Sequence, residues 1–534
     1  MFNFVSLKFI KMKEYLILAS VFIAFQVSAQ KKTPENWYTK DPKADKIYGA
    51  GVDQALQTLK GKTTKTVIVA VIDSGTDIEH EDLKEIIWTN KGEVPDNGID
   101  DDKNGYVDDV HGWSFLGGKN GDINYESTEL ARLYHTMSKK FKAVDETKLS
   151  GDEAKEYEKY KKIKNSFTEE QTKQEQQLQQ ITIISGFLNN VKKQNNGSLS
   201  KSAFKAYTPQ TEMETRLKKA LKLVFALGMD PKELEQQLVE GEKVYGNMVK
   251  YNQMNADSIR ASTVGDDPND YTNRYYGCNR VEGPDALHGT HVAGIIAAVR
   301  NNNIGINGMA SNVLIMPVRA VPNGDERDKD VANAIRYAVD NGASIINMSF
   351  GKYYFANKQY VDDAVLYAKS KDVLLIHAAG NDAKNKDAED SYPTRILSDG
   401  SIASNWMDVG ASGYKKSKKI IADFSNYGSK TVDLFAPGVD IYSTVPDNKY
   451  INESGTSMAS PSTAGVAALI RGYFPELSAE QVKEVLMKTV VPYKKKVLLP
   501  GSKKTKVKVK DICISGGFIN ANNAVKELMG LNKK

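Results

Sequence analysis

Three short segments of the chain carry an aspartate, a histidine and a serine that could act together on an electrophilic carbon. They are Val71-Ile72-Asp73-Ser74-Gly75, His288-Gly289-Thr290-His291-Val292-Ala293-Gly294 and Gly455-Thr456-Ser457-Met458-Ala459-Ser460-Pro461. A serine hydroxyl becomes a nucleophile when an imidazole accepts its proton, and a carboxylate fixes the tautomer of that imidazole and stabilises its charged form. The residue types, their order and their flanking residues therefore predict nucleophilic chemistry on a serine.

These segments resemble those of the subtilisin-like serine proteases, the subtilases, in which the same residue types occur in the same order. The resemblance covers roughly residues 36–115 and 270–525. It implies that Asp73 is the orienting acid, His288 the general base and Ser457 the nucleophile.

A fourth residue is carried over by the same resemblance. Asn381, in Ala378-Ala379-Gly380-Asn381, matches the side-chain donor that holds the oxyanion in this family. The implied activity is a serine endopeptidase that hydrolyses peptide bonds through an acyl-enzyme on Ser457. The alternative is a binding protein or chaperone built on an inactive subtilase scaffold.

Position alone leaves two rivals for these roles. His291 lies three residues after His288, and Asp77 lies four residues after Asp73. The chain has no HExxH pattern, so the histidine pair is not typical of a zinc site. The resemblance favours His288 as the base and makes His291 a structural neighbour.

The substrate side of the site also rests on the resemblance. Ser349-Phe350-Gly351 follows an apolar run and resembles the segment that pairs with the backbone of a polypeptide substrate. Ser391, in Ser391-Tyr392-Pro393, matches the far wall of the primary specificity pocket. The implied partners are polypeptides.

One acidic loop predicts a structural calcium site. From Asp100, oxygen-bearing residues occupy loop positions one, three, five and nine, with Gly105 at position six: Asp100, Asp102, Asn104 and Asp108. The pattern fails at position twelve, where His111 stands, so Asp109 or another carboxylate would have to complete the shell. Asp82 and Asn302 resemble a second calcium site of the family.

Continuous apolar runs predict the elements that position these residues. The runs 66–72, 313–318, 344–348 and 373–378 are typical of parallel strands buried on both faces, and amphipathic segments such as 330–340 alternate with them. The expected fold is α/β, a doubly wound, mostly parallel, subtilisin-like sheet. Asp73 ends the first run, and in such sheets functional residues lie at the carboxyl ends of the strands.

A different composition separates Asp73 from His288. Residues 130–254 are rich in Lys, Glu and Gln, lack strand-like runs and carry apolar stripes at helical spacing. We expect a helical insertion there, between a first catalytic part at 31–129 and a second at 255–534. It either gates access to the site or is a plain surface subdomain.

The N-terminus predicts export. Residues 1–29 contain lysines, a short apolar run and the small-residue pattern Val27-Ser28-Ala29, which together are typical of a removed signal peptide. We therefore expect a periplasmic or secreted protein with no membrane anchor after signal removal.

Charge and cysteine content add little. The formal charge of +5 offers no case for nucleic acid, and the late lysine run is typical of a solvated hairpin edge. Cys278 and Cys513 could form a disulfide in an oxidising compartment, or remain two unrelated thiols.

Overall fold

The computed structural model describes residues 33–254 and 256–531. The predicted signal peptide at residues 1–29 lies outside the described residues. Among those described, no helix is both long enough and apolar enough to cross a membrane. The chain divides into two compact units. The helical unit is Leu130–Met254, and the sheet unit consists of the described residues of Pro34–Glu129 and Asn255–Lys534.

Strands and helices alternate along the sheet unit, and the helical unit, Leu130–Met254, contains helices and no strands among its described residues. The strands are β1 (Val67–Asp73), β2 (Trp113–Ser114), β3 (Gly117–Gly118), β4 (Gly121–Asp122), β5 (Val313–Arg319), β6 (Ile345–Met348), β7 (Leu374–Ala378), β8 (Trp406–Ser412), β9 (Leu434–Pro437), β10 (Ile441–Val445), β11 (Lys449–Glu453), β12 (Val491–Pro492), β13 (Val497–Leu498), β14 (Lys506–Val507) and β15 (Gly517–Phe518). The helices are α1 (Val52–Thr58), α2 (Glu129–Phe141), α3 (Gly151–Gln194), α4 (Lys201–Ala206), α5 (Glu212–Ala226), α6 (Pro231–Asn252), α7 (Ala256–Thr263), α8 (Leu287–Ala297), α9 (Asp328–Asp340), α10 (Lys358–Ser370), α11 (Thr456–Tyr473), α12 (Ala479–Lys488) and α13 (Ala521–Leu528).

In the described part of the chain, a nine-stranded sheet has the order β12-β15-β9-β8-β7-β6-β1-β5-β2. All its pairs are parallel except β12 with β15. Helices cover both faces, and this explains the apolar runs. On β1, Val69 and Val71 join the cluster that contains α8 and α11, whereas Ala70 and Ile72 join the cluster that contains α9 and α10. The predicted doubly wound, mostly parallel sheet is confirmed.

The unit Leu130–Met254 has a core of its own. Its longest helix, α3, runs for 44 residues. Apolar side chains from α3, α5 and α6 form one buried cluster, which includes Phe187, Val191, Leu221 and Leu238. Helix α6 begins as its sequence predicts, because the Asp230 side chain accepts a hydrogen bond from the Lys232 amide and Pro231 occupies the first turn.

Within the sheet unit, one arginine joins the two places where the chain leaves for the helical unit and returns from it. Arg327 binds Glu126 through two hydrogen bonds, Nε to Oε2 at 3.1 Å and Nη2 to Oε1 at 3.2 Å. Its Nη1 lies 2.9 Å from Asp257 Oδ1. Glu126 precedes the departure and Asp257 follows the return, so a single side chain holds both crossings.

A second buried charge network lies beside Arg327. The fully buried Arg260 guanidinium binds both oxygens of Asp330, at 2.9 and 2.6 Å, and its Nε lies 3.0 Å from Asp266. Lys329 is 2.5 Å from Asp266, and the Tyr276 hydroxyl donates to Asp330 at 2.6 Å. Burial alone would lower the pKa of Arg260, but the negative charges of Asp330 and Asp266 outweigh that effect and raise it.

The two cysteines are separate. Cys278 and Cys513 are both free thiols in the structure, and Cys513 is buried. Burial raises the pKa of Cys513 to about 11, which keeps this thiol protonated and unreactive at neutral pH.

We predict that Arg260→Ala destabilises the sheet unit by about 3–5 kcal/mol, because it leaves buried carboxylates without their counter-charge. The measurement is urea unfolding followed by tryptophan fluorescence. All four tryptophans, Trp37, Trp88, Trp113 and Trp406, belong to the sheet unit, so the signal reports on that unit alone.

The matched control is Arg280→Ala, which breaks a 2.9 Å ion pair with Asp122 at a side chain that is 46% exposed. A loss of about 1 kcal/mol or less is expected there. Equal losses in both variants would contradict a special role for the buried network.

Candidate active site

Asp73 and His288 form a direct hydrogen bond. The distance between His288 Nδ1 and Asp73 Oδ1 is 2.7 Å. The Asp73 carboxylate is almost completely buried and also accepts a hydrogen bond from the Ser74 amide at 2.8 Å. The His288 side chain is 38% exposed, so its ring reaches the surface while its Nδ1 atom is bonded to the buried Asp73 carboxylate.

The local backbone explains this contact. Asp73 is the last residue of β1, and His288 lies in the first turn of α8. A Cβ added at Gly289 would lie 2.1 Å from the Gly75 carbonyl oxygen and 3.1 Å from Asp73 Cβ. Only glycine therefore lets the start of α8 approach the end of β1 closely enough for the hydrogen bond.

The charge around His288 favours its protonated form. Burial opposes the imidazolium, but the negative charge of Asp73 and the hydrogen bond to it outweigh burial, so the pKa of His288 is raised above 6.5. Glu453 adds to this effect, and burial in turn raises the pKa of Glu453. Glu453 ends β11, four residues before Ser457 in the sequence.

Ser457 lies in the first turn of α11, where free amides and the helix dipole favour negative charge. Its hydroxyl donates to the Ser349 carbonyl oxygen at 3.1 Å, and its own carbonyl accepts from the Ser349 hydroxyl at 2.9 Å. The serine is thus held by the segment after β6, and its hydroxyl hydrogen bond in this structure goes to Ser349 instead of His288.

Asn381 and Ser457 present two N–H donors to one small space. The side-chain oxygen of Asn381 accepts from the amide and the hydroxyl of Thr456, at 2.9 and 3.0 Å, which turns its NH₂ group away from Thr456. A Cβ added at Gly455 would lie 3.5 Å from both Asn381 Nδ2 and Ser457 N. The two nitrogens therefore lie beside one position at Gly455 that no side chain fills.

The two predicted substrate segments lie side by side. The backbones of Lys352 and Tyr392 exchange hydrogen bonds of 2.8 and 2.7 Å in both directions. A Cβ added at Gly351 would lie 3.2 Å from the Tyr392 carbonyl oxygen. Ser349, Phe350 and Gly351 therefore adjoin the strand-like segment that begins at Ser391, whose hydroxyl is buried.

A second His–Asp pair lies beneath Phe350, and sequence reasoning missed it. His377 Nε2 is 2.8 Å from the Phe350 carbonyl oxygen, and Nδ1 is 2.8 Å from Asp408 Oδ1. Lys386 Nζ also lies 2.8 Å from Asp408 Oδ1. Burial and the charge of Lys386 lower the pKa of His377 despite Asp408. The sequence offered one signal for this pair: His377 and Asp408 are charged or polar residues inside the apolar strands β7 and β8.

The rival residues make structural contacts. His291 Nε2 lies 3.1 Å from the Ile441 carbonyl oxygen and 3.3 Å from that of Ile451, so it joins α8 to the β10–β11 hairpin. Burial lowers its pKa to about 4. Asp77 accepts from the amides of Glu79 and Asp447, in the loop beyond β1.

The acidic loop brings together part of the predicted metal set. Carboxylate oxygens of Glu93, Asp100 and Asp102 lie within 4.8 Å of one another. Two oxygens bound to one Ca²⁺ at about 2.3–2.6 Å each are at most about 5 Å apart, so the three carboxylates fit a calcium ion in spacing and in donor type. Glu93 was not predicted, because it lies outside the loop pattern.

The other predicted ligands are placed differently. Asp108 is not part of the acidic group. Its two oxygens accept from the backbone amides of Asn97 and Gly98, at 3.1 and 2.9 Å. The Asn104 side chain donates to Asp102 and Asp109. Asp82 accepts from Asn302 Nδ2 at 2.6 Å and from the Ile306 amide at 3.0 Å, and it is not part of the acidic group.

Comparison with known proteins gives consistent matches. A profile of the Subtilase family matches residues 64–513. A "Thermophilic serine proteinase" from Bacillus sp. (strain AK1) is 44% identical over 184 residues, which are 34% of this chain and 42% of that protein. A "Cell wall-associated protease" from Bacillus subtilis (strain 168) is 35% identical over 253 residues, 47% of this chain and 26% of that protein. "Subtilisin DY" from Bacillus licheniformis is 39% identical over 206 residues, 38% of this chain and 69% of that protein.

The chain therefore spans 42% and 26% of the lengths of the first two relatives. The profile match covers more than half of the 534 residues and includes Asp73, His288, Asn381 and Ser457. The resemblance seen in the sequence is confirmed: the chain belongs to the Subtilase family.

Proposed function

We propose that this protein is a serine endopeptidase that hydrolyses polypeptides through an acyl-enzyme on Ser457. One observation carries the proposal: Asn381 Nδ2 and Ser457 N both lie 3.5 Å from the position that a Cβ on Gly455 would occupy. A capping serine has no need for such a second donor. The Asp73–His288 hydrogen bond at 2.7 Å and membership of the Subtilase family support the same activity.

In the acylation step, the Ser457 hydroxyl turns from the Ser349 carbonyl oxygen towards His288 when substrate binds. His288 Nε2 takes the hydroxyl proton while Oγ forms a bond to the scissile carbonyl carbon. Asp73 holds the proton on Nδ1 and stabilises the imidazolium that results. The raised pKa of His288 reflects this same stabilisation.

The tetrahedral intermediate places its oxyanion beside Asn381 Nδ2 and Ser457 N. In subtilisin, removal of such a side-chain donor lowers turnover about 10²–10³-fold. The imidazolium then gives its proton to the leaving amine, and the peptide C–N bond breaks. Water attacks the acyl-enzyme in the second half, with His288 again the base, and releases the acid product and free Ser457.

Polypeptide recognition is proposed for the segment Ser349–Gly351, which would pair with substrate backbone, with Ser391 in the neighbouring wall. Acidic residues near that wall do not argue for basic substrates, because Asp387 accepts from the Ser429 and Lys430 amides and Glu389 is 3.1 Å from Lys384. Export to the periplasm or the medium is proposed from the signal pattern at residues 1–29.

A fluorophosphonate probe applied to cell fractions tests activity and export together. We predict that it labels an exported protein whose intact mass corresponds to a chain starting at Gln30. Ser457→Ala abolishes labelling and lowers casein hydrolysis by at least about 10⁴-fold. Ser454→Ala, an exposed serine three residues earlier, leaves both unchanged.

Folded, exported protein that neither reacts with the probe nor cleaves casein would reject the enzyme and favour the binding-protein alternative. Turnover of small esters without casein cleavage would reject peptide bonds as the substrate.

We predict that the acid limb of kcat/KM has its midpoint above pH 6.5. Only the neutral imidazole can accept the serine proton, and the pKa of His288 is raised, so activity appears as pH rises through that pKa. Glu453→Gln removes a negative charge that helps to raise this pKa, so it moves the limb to lower pH. The exposed control Glu85→Gln leaves the limb in place. A limb that does not respond to Glu453→Gln would contradict this electrostatic account.

We further propose that Glu93, Asp100 and Asp102 bind a structural Ca²⁺. All three offer oxygen ligands, and the ion would neutralise their mutual repulsion and stiffen the 93–109 loop.

For this site, a chelator lowers the thermal midpoint of the wild-type protein, and added Ca²⁺ restores it by mass action. The chelator-induced shift disappears in Asp102→Asn and persists in Asp82→Asn, since Asp82 lies outside the acidic group. A wild-type midpoint that is indifferent to chelator would exclude the ion.

A further inference from the structure

One corner of the sheet unit carries a dense group of lysines, which we call the lysine patch. It consists of Lys415, Lys416, Lys418, Lys419, Lys494, Lys495, Lys496, Lys503, Lys504, Lys506, Lys508 and Lys510. All twelve are exposed. Without them the formal charge of the chain, +5, would be −7. The positive excess of this protein is therefore concentrated at one place.

The three lysine segments are joined by short contacts. The Leu498 amide donates to the Lys418 carbonyl oxygen at 2.7 Å, and the Tyr493 hydroxyl donates to the Ser417 carbonyl oxygen at 3.0 Å. Strands β13 and β14 pair through Val497–Val507 and Leu498–Lys506. The loop 415–419 and the hairpin 494–510 thus form one continuous surface.

The lysine patch has no acidic residues within its own segments. The segments 414–420 and 493–510 contain no aspartate or glutamate. Across residues 33–254 and 256–531, no ion pair involves any of the twelve ammonium groups. In the segment 506–510 the pattern is also one-sided, with Lys506, Lys508 and Lys510 exposed while Val509 is buried. Lysines on an edge strand can protect that edge from pairing, but this does not account for Lys415, Lys416, Lys418 and Lys419, which lie in a separate loop.

The patch adjoins the loop that carries Asn381. A Cβ added at Gly501, in the hairpin turn, would lie 3.0 Å from Ala383 Cβ. The Gly501 amide donates to the Asp423 carbonyl oxygen, and the Ala383 amide donates to the Phe424 carbonyl oxygen, both at 2.8 Å. Lys503 and Lys504 follow Gly501 after Ser502, so the hairpin turn lies beside the loop that carries Asn381.

We propose that the lysine patch is an exosite that attracts acidic segments of polypeptide substrates to the cleft. The inference rests on the proposed peptidase function and adds a substrate class to it. Ammonium groups on flexible stems suit the scattered carboxylates of an unfolded acidic chain, because they act as point charges without a fixed geometry. A field of one sign beside a cleft raises the association rate of oppositely charged ligands, and salt screens it.

The test compares two fluorogenic peptides with the same scissile segment, one extended by glutamates and the other by equally many glutamines, on either side of the scissile bond. At low salt, the wild-type protein should cleave the glutamate peptide with a kcat/KM roughly tenfold higher or more, at equal kcat. The preference should vanish at high salt and in Lys503→Gln/Lys504→Gln/Lys506→Gln. It should persist in the matched Lys→Arg variant, which keeps the charge.

The control is Lys60→Gln/Lys62→Gln/Lys84→Gln, three exposed lysines of the same unit outside the patch, and it should keep the preference. Cleavage of the glutamine peptide should be equal in all variants, which shows that each is folded. Equal cleavage of both peptides by the wild-type protein, or a preference that survives the patch Lys→Gln variant, would overturn the exosite.

Two other outcomes would contradict different parts of the proposal. Failure of the wild-type protein to cleave either peptide would reject the peptidase function itself. Patch-dependent capture by phosphatidylglycerol vesicles, with no preference between the peptides, would assign the patch to a lipid surface and overturn the proposal.

Discussion

The hydrogen bond between Asp73 and His288 is the interaction on which the candidate active site depends. It joins the tip of a buried parallel strand to the first turn of a helix that arrives more than two hundred residues later. Removing either side chain would be destabilising, because the Asp73 carboxylate is nearly desolvated and the His288 imidazole is the group that stabilises its charge. The apolar faces of β1, covered by helices on both sides, keep the carboxylate at a fixed height relative to that helix. The site is therefore as rigid as the sheet beneath it.

Much of this arrangement could be predicted from the sequence because it is encoded locally. The apolar runs identified the parallel strands, and Asp73 stood at the end of one of them. His288 and Ser457 were found through short motifs whose glycines have a direct steric meaning: a Cβ at Gly289 would clash with the Gly75 carbonyl oxygen, and the position of a Cβ at Gly455 lies beside Asn381 Nδ2 and Ser457 N. Such signals survive in a single sequence because they depend on a few neighbouring residues.

The contacts that the sequence did not predict depend on how neighbouring strands are aligned and on how loops fold back. His377 and Asp408 face each other because β7 and β8 pair in one particular register, with His377 opposite Asp408. Nothing within either strand specifies that pairing. In the acidic loop, position counting could not find Glu93, because its carboxylate reaches those of Asp100 and Asp102 only after the chain has folded back. Arg260 was likewise unremarkable in the sequence, and only folding brings it to Asp266 and Asp330.

The contacts of Arg327 with Glu126 and Asp257 tie together two parts of the chain that are far apart in sequence. Since one guanidinium binds a residue before position 130 and a residue after position 254, the sheet unit is closed by its own side chains at the two ends of the intervening segment. The loss of Arg327 would therefore remove an ion pair at both ends at once, whereas the loss of either carboxylate would remove it at one end.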